Sequence, residues 1–312
     1  KNDTLIRSRS LSEEESIALE KAFSLDETDA RVFMELDQLY KRMNMDIPCR
    51  LEFLESHRDL VEFRDDVYLE RIALHNILGK HDKAFELLKA RNFHPWEGGE
   101  GKVISQYVST LIFLAKDALK NFHYETALDY MKQSLEYPYN LGEGKLYGIQ
   151  ENDIYYWMGV IFDKMGKTEE SIKCWEQASR GIEEPYAAVF YNDQHPDKIF
   201  YQGLALLKLN EKIKANQKFE KLLKYGEEHI NDKIKIDYFA VSLPDLMIWE
   251  DNLDKRNQIH CLYLTGLGLI GLNKLSEASD KLEEVLALDK SHLGAIVHKN
   301  MIQDELSNIL QM

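Results

Sequence analysis

The sequence predicts an all-α fold: a solenoid of helical hairpins with long insertions between successive hairpins. Three observations carry this expectation. Proline is scarce, with 6 residues, and 30% of the 312 residues are charged, a composition suited to helices with solvated outer faces. A pattern of large, small and aromatic positions recurs along the chain, the signature of a repeat architecture. In the clearest recurrences two small residues stand twelve positions apart with a turn residue between them. Gly159 and Ser171 flank Gly166, Gly203 and Ala215 flank Asn210, and Gly266 and Ala278 flank Asn273. Antiparallel helices that approach closely need small side chains where they meet and large ones a turn away to fill the grooves.

The elements follow in chain order. EEESIALEKAFSLDETDA (13–30) reads as the second helix and tail of a hairpin, so residues 1–29 form a half repeat. A solenoid needs capped ends, and the half repeat therefore implies preceding sequence and a chain that is a fragment of a longer one. Residues 30–90 hold two looser units. One runs through Phe33, Asp37, Tyr40, Asn44, Cys49 and Phe53, the other through Tyr68, Ile72, His75, Gly79, Ala84 and Leu88. Four units with insertions fill 91–290. The first is marked by Leu111, Ala115, Ala118, Ala127 and Met131, the second by Tyr155, Gly159, Phe162, Gly166, Ser171, Trp175 and Ala178. Ile199, Gly203, Leu206, Asn210, Ala215, Phe219 and Leu222 mark the third; Leu262, Gly266, Leu269, Asn273, Ala278, Leu282 and Val285 mark the fourth. Residues 291–312 read as a helix that caps the last unit, so 1–312 is one domain.

This order of positions resembles the tetratricopeptide repeat, a helix-turn-helix unit of 34 residues. The resemblance covers most of the chain. It implies a right-handed superhelical solenoid that serves as a non-catalytic scaffold binding a protein or peptide; the short repeat and the unequal decoration of the units favour an open form over a closed ring of hairpins. The first small position falls at Asp37, Ile72, Ala115, Gly159, Gly203 and Gly266, in steps of 35, 43, 44, 44 and 63. Because the spacing inside each unit stays at twelve, the excess over 34 lies between one unit's second helix and the next unit's first. Stacking then gathers all the inserts along one edge.

The inserts are 91–102, 138–151, 181–197 and 226–257, and they are rich in aromatic residues. Long ordered loops tend either to be functional or to cover the helices beneath. On the functional reading the candidate binding residues are Trp96, Glu97 and Glu100 in the first insert, and Asn140 and Glu143 in the second. Tyr191, Asn192 and Asp193 are the candidates in the third, Tyr238 and Asp245 in the fourth. Rings and carboxylates grouped in this way suit a cationic peptide or a sugar. On the alternative reading the rings pin the loops down. HPWEGGEGKV, NLGEGKL, YNDQ and DYFAVSLPDL look like the C-terminal helical-repeat region of a family of long bacterial proteins. In that family an uncharacterised N-terminal module, similar to the β-sandwiches of sugar mutarotases and carbohydrate-active enzymes, precedes the repeats. The resemblance implies that the upstream domain of the same chain is a partner, with a carbohydrate ligand as the alternative.

The remaining features narrow the function further. A formal charge of −15 disfavours sequence-independent nucleic-acid binding and anionic membrane surfaces. No apolar run approaches the roughly 18 to 20 residues needed to span a bilayer. Cys49, Cys174 and Cys261 are odd in number and far apart, without a CxxC pair, so a disulfide framework is not suggested and a reducing, cytoplasmic setting is expected. Neither GEG stretch has the GxxxxGK[ST] pattern of a phosphate loop, and the ten histidines lack ligand spacing. No catalytic residue, metal or cofactor is expected.

Overall fold

The computed structural model describes residues 2–96, 98–187, 195–234 and 252–303. Among these the regular elements are α-helices and a single 3-10 turn at Tyr139–Leu141, with no strand. A long helix α1 (Asn2–Leu25) precedes the first hairpin, whose first helix is α2 (Ala30–Arg42) and whose second is broken into α3 (Ile47–Ser56) and α4 (Arg58–Phe63). Five unbroken hairpins follow: α5 (Asp65–Ile77) with α6 (His81–Ala90), α7 (Lys102–Lys120) with α8 (Tyr124–Ser134), and α9 (Asn152–Lys164) with α10 (Thr168–Ala178). The last two are α11 (Pro196–Lys208) with α12 (Lys212–His229) and α13 (Leu253–Gly271) with α14 (Leu275–Leu288), capped by α15 (Leu293–Gln303).

All six hairpin turns are built alike. Asn44, Gly79, Phe122, Gly166, Asn210 and Asn273 each take a left-handed conformation, with φ between 56° and 72°. The residue after each sends its N–H five residues back. Met45 donates to the Tyr40 carbonyl at 3.0 Å, Lys80 to His75 at 2.9 Å and Glu211 to Leu206 at 2.8 Å; His123, Lys167 and Lys274 do the same. This is the Schellman closure of a helix C-terminus, and it needs a residue that tolerates positive φ. Glycine does so freely and asparagine better than most, whereas a phenylalanine is strained there. Phe122 is 76% exposed and touches only the edge of Tyr124, so nothing in its packing explains the choice.

The small residues work through a partner sixteen positions on. A Cβ added at Gly159 would stand 2.3 Å from the Trp175 indole, one at Gly203 would stand 2.3 Å from the Phe219 ring, and one at Gly266 would stand 2.9 Å from Leu282. Each glycine is thus the seat of a large side chain from the second helix, while Ala84, Ala127, Ala215 and Ala278 are fully buried on that helix. The first hairpin departs from this plan. Cys49, at the expected small position, is exposed, and its neighbour Arg50 turns inward instead. Arg50 donates through Nε and Nη2 to both oxygens of Asp37 at 2.8–3.1 Å and through Nη2 to Glu70 of α5 at 3.1 Å. A buried ion pair therefore replaces the small-residue contact. Burial pushes the Asp37 carboxyl up against the pull of Arg50; Glu70 is desolvated too, but Lys41 and Arg50 together hold it low.

The apolar core runs as a stripe along the array, in one stretch from Phe23 to Leu141 and another from Ile112 to Met301. First helices of successive hairpins pack against one another more closely than second helices do, which puts the first helices on the inside of the curve. The expectation of an open-ended solenoid is corrected at the seam. Asn44, in the first hairpin's turn, donates to the carbonyls of Ala287 and Leu288 at the end of α14 (3.3 and 3.1 Å) and accepts the Lys290 N–H at 3.1 Å. Lys290 also pairs with Asp46 at 2.6 Å. The array is a single spiral turn whose two ends touch.

Candidate functional site

The insert edge is held by backbone-directed hydrogen bonds. Asn140 donates to the carbonyls of Leu88 and Arg91, both at 2.9 Å, and accepts the Phe93 N–H on its own carbonyl at 2.7 Å. Glu143 accepts the Gly101 N–H with both oxygens (3.1 and 2.9 Å), placing a carboxylate at the N-terminus of α7 where the helix dipole favours it. Burial and the nearby Glu100 raise the Glu143 pKa, and the Gly101 bond works the other way. Gly142 sits at φ 77° with its α-carbon against the chain of the first insert: a Cβ there would be 2.5 Å from the Phe93 carbonyl oxygen. The first two inserts are thus zipped together.

The third insert is strapped to its neighbours in turn. Gln150 accepts the Ile182 N–H at 3.3 Å, and Gln202 of α11 donates to the Ile182 carbonyl at 2.9 Å. Glu183 pairs with Lys218 at 2.8 Å, Glu184 pairs with Lys221 at 2.6 Å, and the Tyr186 carbonyl lies 2.7 Å from His260 Nε2 of α13. Residues 181–187 therefore cross from α11 over α12 to α13.

The sequence candidates fall into three groups. Trp96 lies half-buried over Gly99, where an added Cβ would be 2.1 Å from the indole, and Asn140 and Glu143 are the fasteners just described. Glu100 is exposed. Glu97, Tyr191, Asn192, Asp193, Tyr238 and Asp245 lie outside the described residues. What the fastened loops leave in solvent is a different set. Tyr139 and Tyr147 are fully exposed, at 101% and 106%; Leu146 and Ile149 are exposed beside them in sequence, and Ile182 and Tyr186 are exposed in the third insert. Composition marked the three tyrosines as insert aromatics, but only the hydrogen bonds of Asn140 and Gln150, which no local pattern announces, show which rings are left free.

A second polar group on the first helices went unseen in the sequence. Lys198 of α11 pairs with Asp153 of α9 at 2.6 Å, and the charge of Asp197 next to it favours a proton on His292, just before α15, and on His298 within it, against their burial. His298 Nδ1 faces the Gly294 carbonyl at 2.8 Å and the Tyr263 hydroxyl at 3.0 Å; burial drives its pKa down to about 4 despite Asp197, so the ring is neutral. Burial likewise raises the Cys174 and Cys261 thiols to about 11, which keeps them protonated. Among the described residues no three His, Cys, Asp or Glu side chains converge as metal ligands, and no helix is long and apolar enough to cross a membrane.

No protein-family model matches the chain. Among solved structures it is similar to the hetero-tetramer Cut9–Hcn1 of the APC/C, at 13% identity over 93% of this chain and 46% of that one, with a TM-score of 0.39. The chain thus spans less than half the length of that relative. It is similar to the TPR domain of P58(IPK) at 16% identity (99% and 81% covered, TM-score 0.30) and to YrrB, a TPR protein with an unusual peptide-binding site, at 14% identity (91% and 98% covered, TM-score 0.22). Likenesses this distant carry no functional argument. Among the described residues the array of helical hairpins rests on its own six Schellman turns and, in three of the hairpins, on glycine-seated side chains.

Proposed function

We propose that the protein is a non-catalytic scaffold whose insert edge binds another folded protein, with the upstream domain of its own chain as the first partner to try. One observation carries the reading: Tyr139 and Tyr147 stand wholly in solvent on a backbone fixed on both sides by Asn140, Glu143 and Gln150. Rings that pinned a loop would be covered. Rigid, exposed tyrosines are what interfaces use as anchors, since they bury large area with little further ordering cost. Leu146, Ile149, Ile182 and Tyr186 widen the exposed apolar content of the same edge.

The test replaces Tyr139, Tyr147 and Tyr186 together by Ser and measures affinity for the separately produced upstream module by calorimetry or sedimentation. Thermal stability should change little, because Tyr139 and Tyr147 cover nothing and Tyr186 is half in solvent, while affinity falls by at least about tenfold. Unchanged affinity overturns the proposal. Tyrosine faces also stack on sugar rings, so an oligosaccharide panel run alongside checks the carbohydrate alternative; turnover or saturable binding there would displace the protein partner.

A further inference from the structure

We infer that the contact between the first and last hairpins is a reversible, salt-sensitive clasp that gates lateral entry to the inner wall of the spiral. The inference stands apart from the insert edge and does not depend on it. The clasp is centred on one side chain. Ala287 and Leu288 end α14, and their carbonyls are among the four that a helix C-terminus leaves without an internal partner. The Asn44 amide supplies both of them with a donor and takes the Lys290 N–H on its oxygen. One ionic contact flanks it, Lys290 with Asp46 at 2.6 Å; Lys41 pairs with Glu70 on its own side of the seam at 2.6 Å, and burial of Lys41 is offset by Glu70 and, more weakly, by Asp289.

The strength of this closure is modest by construction. The Asp46 and Lys290 side chains are 72% and 44% exposed, so their attraction is that of a surface pair and is screened by salt. Elsewhere each hairpin is bound to the next through buried apolar side chains of the two core clusters, whereas the seam is joined by the Asn44 hydrogen bonds and the Lys290–Asp46 pair. A closure made of a few polar contacts opens far more readily than the spine it joins. Opening separates the turn after α2 from the end of α14 and gives side-on access to Lys41 and Asp289, which attract each other across the junction.

Asn44 has two duties that can be separated. Its backbone makes the left-handed turn, a task that Gly79 and Gly166 perform with glycine in sister hairpins; its side chain makes the clasp. Asn44→Gly keeps the turn and removes the clasp, and Asn210→Gly is the matched control at a turn with no seam contact. The experiment is a spin-label distance measurement on the 312-residue chain between the natural, exposed Cys49 and Glu284→Cys at the exposed end of α14, with Cys174→Ser to remove the half-buried thiol. The unaltered seam should give one narrow distance population at low salt that broadens toward longer distances near ~1 M salt. Asn44→Gly should shift the closed-to-open ratio by roughly a hundredfold, at about fivefold for each of the hydrogen bonds removed. Asp46→Ala should give the broadened distribution already at low salt, with no further salt dependence. A broad distribution in the unaltered chain at every salt, an Asn44→Gly chain that stays narrow, or an Asn210→Gly chain that opens as far as Asn44→Gly would each overturn the clasp.

Discussion

Gly268 lies where α13 crosses α12, and its replacement by alanine is the sharpest test of how the hairpins are stacked. A Cβ at this position would stand 2.7 Å from the Leu223 backbone nitrogen and 2.7 Å from the Phe219 carbonyl oxygen. Ordinary contact begins near 3.4 Å. At Gly159 or Gly203 the clash is with an aromatic side chain that can tilt, but here both obstructing atoms are backbone, so relief requires the two helices to move apart. The crossing has no slack on the other side either, because a Cβ at Gly226 of α12 would stand 2.5 Å from the Cys261 carbonyl oxygen of α13. Overpacking of this kind costs about 1–3 kcal/mol, and the upper end applies where no rotamer can yield. Alanine returns about 1 kcal/mol through its better helix propensity. The net expectation for Gly268→Ala is a loss of about 2 kcal/mol, read as a lower urea midpoint. Gly144→Ala is the control: a Cβ there meets nothing within 4 Å, and stability should change by less than about 0.5 kcal/mol. A Gly268→Ala chain at least as stable as the unaltered one would refute the backbone-on-backbone crossing.

Other expectations concern single positions. His298 is buried and neutral with a pKa near 4 against an ordinary 6.5, among Asp197, His292, Lys116 and the Gly294 carbonyl. Its depressed value means that stability is fully present above pH 6.5 and drains away as the pH falls toward 4, by about 3 kcal/mol in total. Urea midpoints measured across that window should fall in the unaltered chain and flatten in His298→Leu; parallel slopes would show that another group is responsible. Phe122→Gly should raise the thermal midpoint by the equivalent of about 1 kcal/mol, since a strained left-handed Phe is relieved and little buried surface is lost. A lowered midpoint would mean that the ring packs on something. Asn140→Ala should cost about 2 kcal/mol and speed hydrogen exchange at the Phe93 amide, because two carbonyls lose their donor and the zipped inserts part. Unaltered exchange would indicate that the inserts do not depend on that side chain.

What the sequence made legible was set by local chemistry. A left-handed turn favours Gly or Asn at a helix end, so Gly79, Gly166, Asn210 and Asn273 could be read directly, and the steps between the small positions of the first helices located the inserts. Phe122 obeys the geometry but not the chemistry, and nothing in the sequence marks it as a turn residue. The Asp37–Arg50 pair was invisible because it depends on how far α3 is rotated about its axis, which placed Arg50 inward and Cys49 outward. The fasteners were harder still. Asn140 answers carbonyls 49 and 52 residues away, and Asn44 answers carbonyls more than 240 residues away, distances at which no periodicity speaks. Aromatic content flagged the inserts; which ring is spent on the loop and which is left over is a tertiary fact, and it separated Trp96 from Tyr139 and Tyr147.

The asymmetry between the two rims of the array has a practical consequence. One rim carries six near-identical turns that fix the register of the helices; the other absorbs every difference in length, from a step of 35 residues to one of 63. Material can therefore be grafted onto the second rim without disturbing the stacking beneath. Between Gly144 and Gly148, where an added carbon meets nothing within 4 Å at either glycine, the chain offers a place to splice in a foreign epitope or a reporter. A protein built this way separates the part that must keep its length from the part that is free to change it.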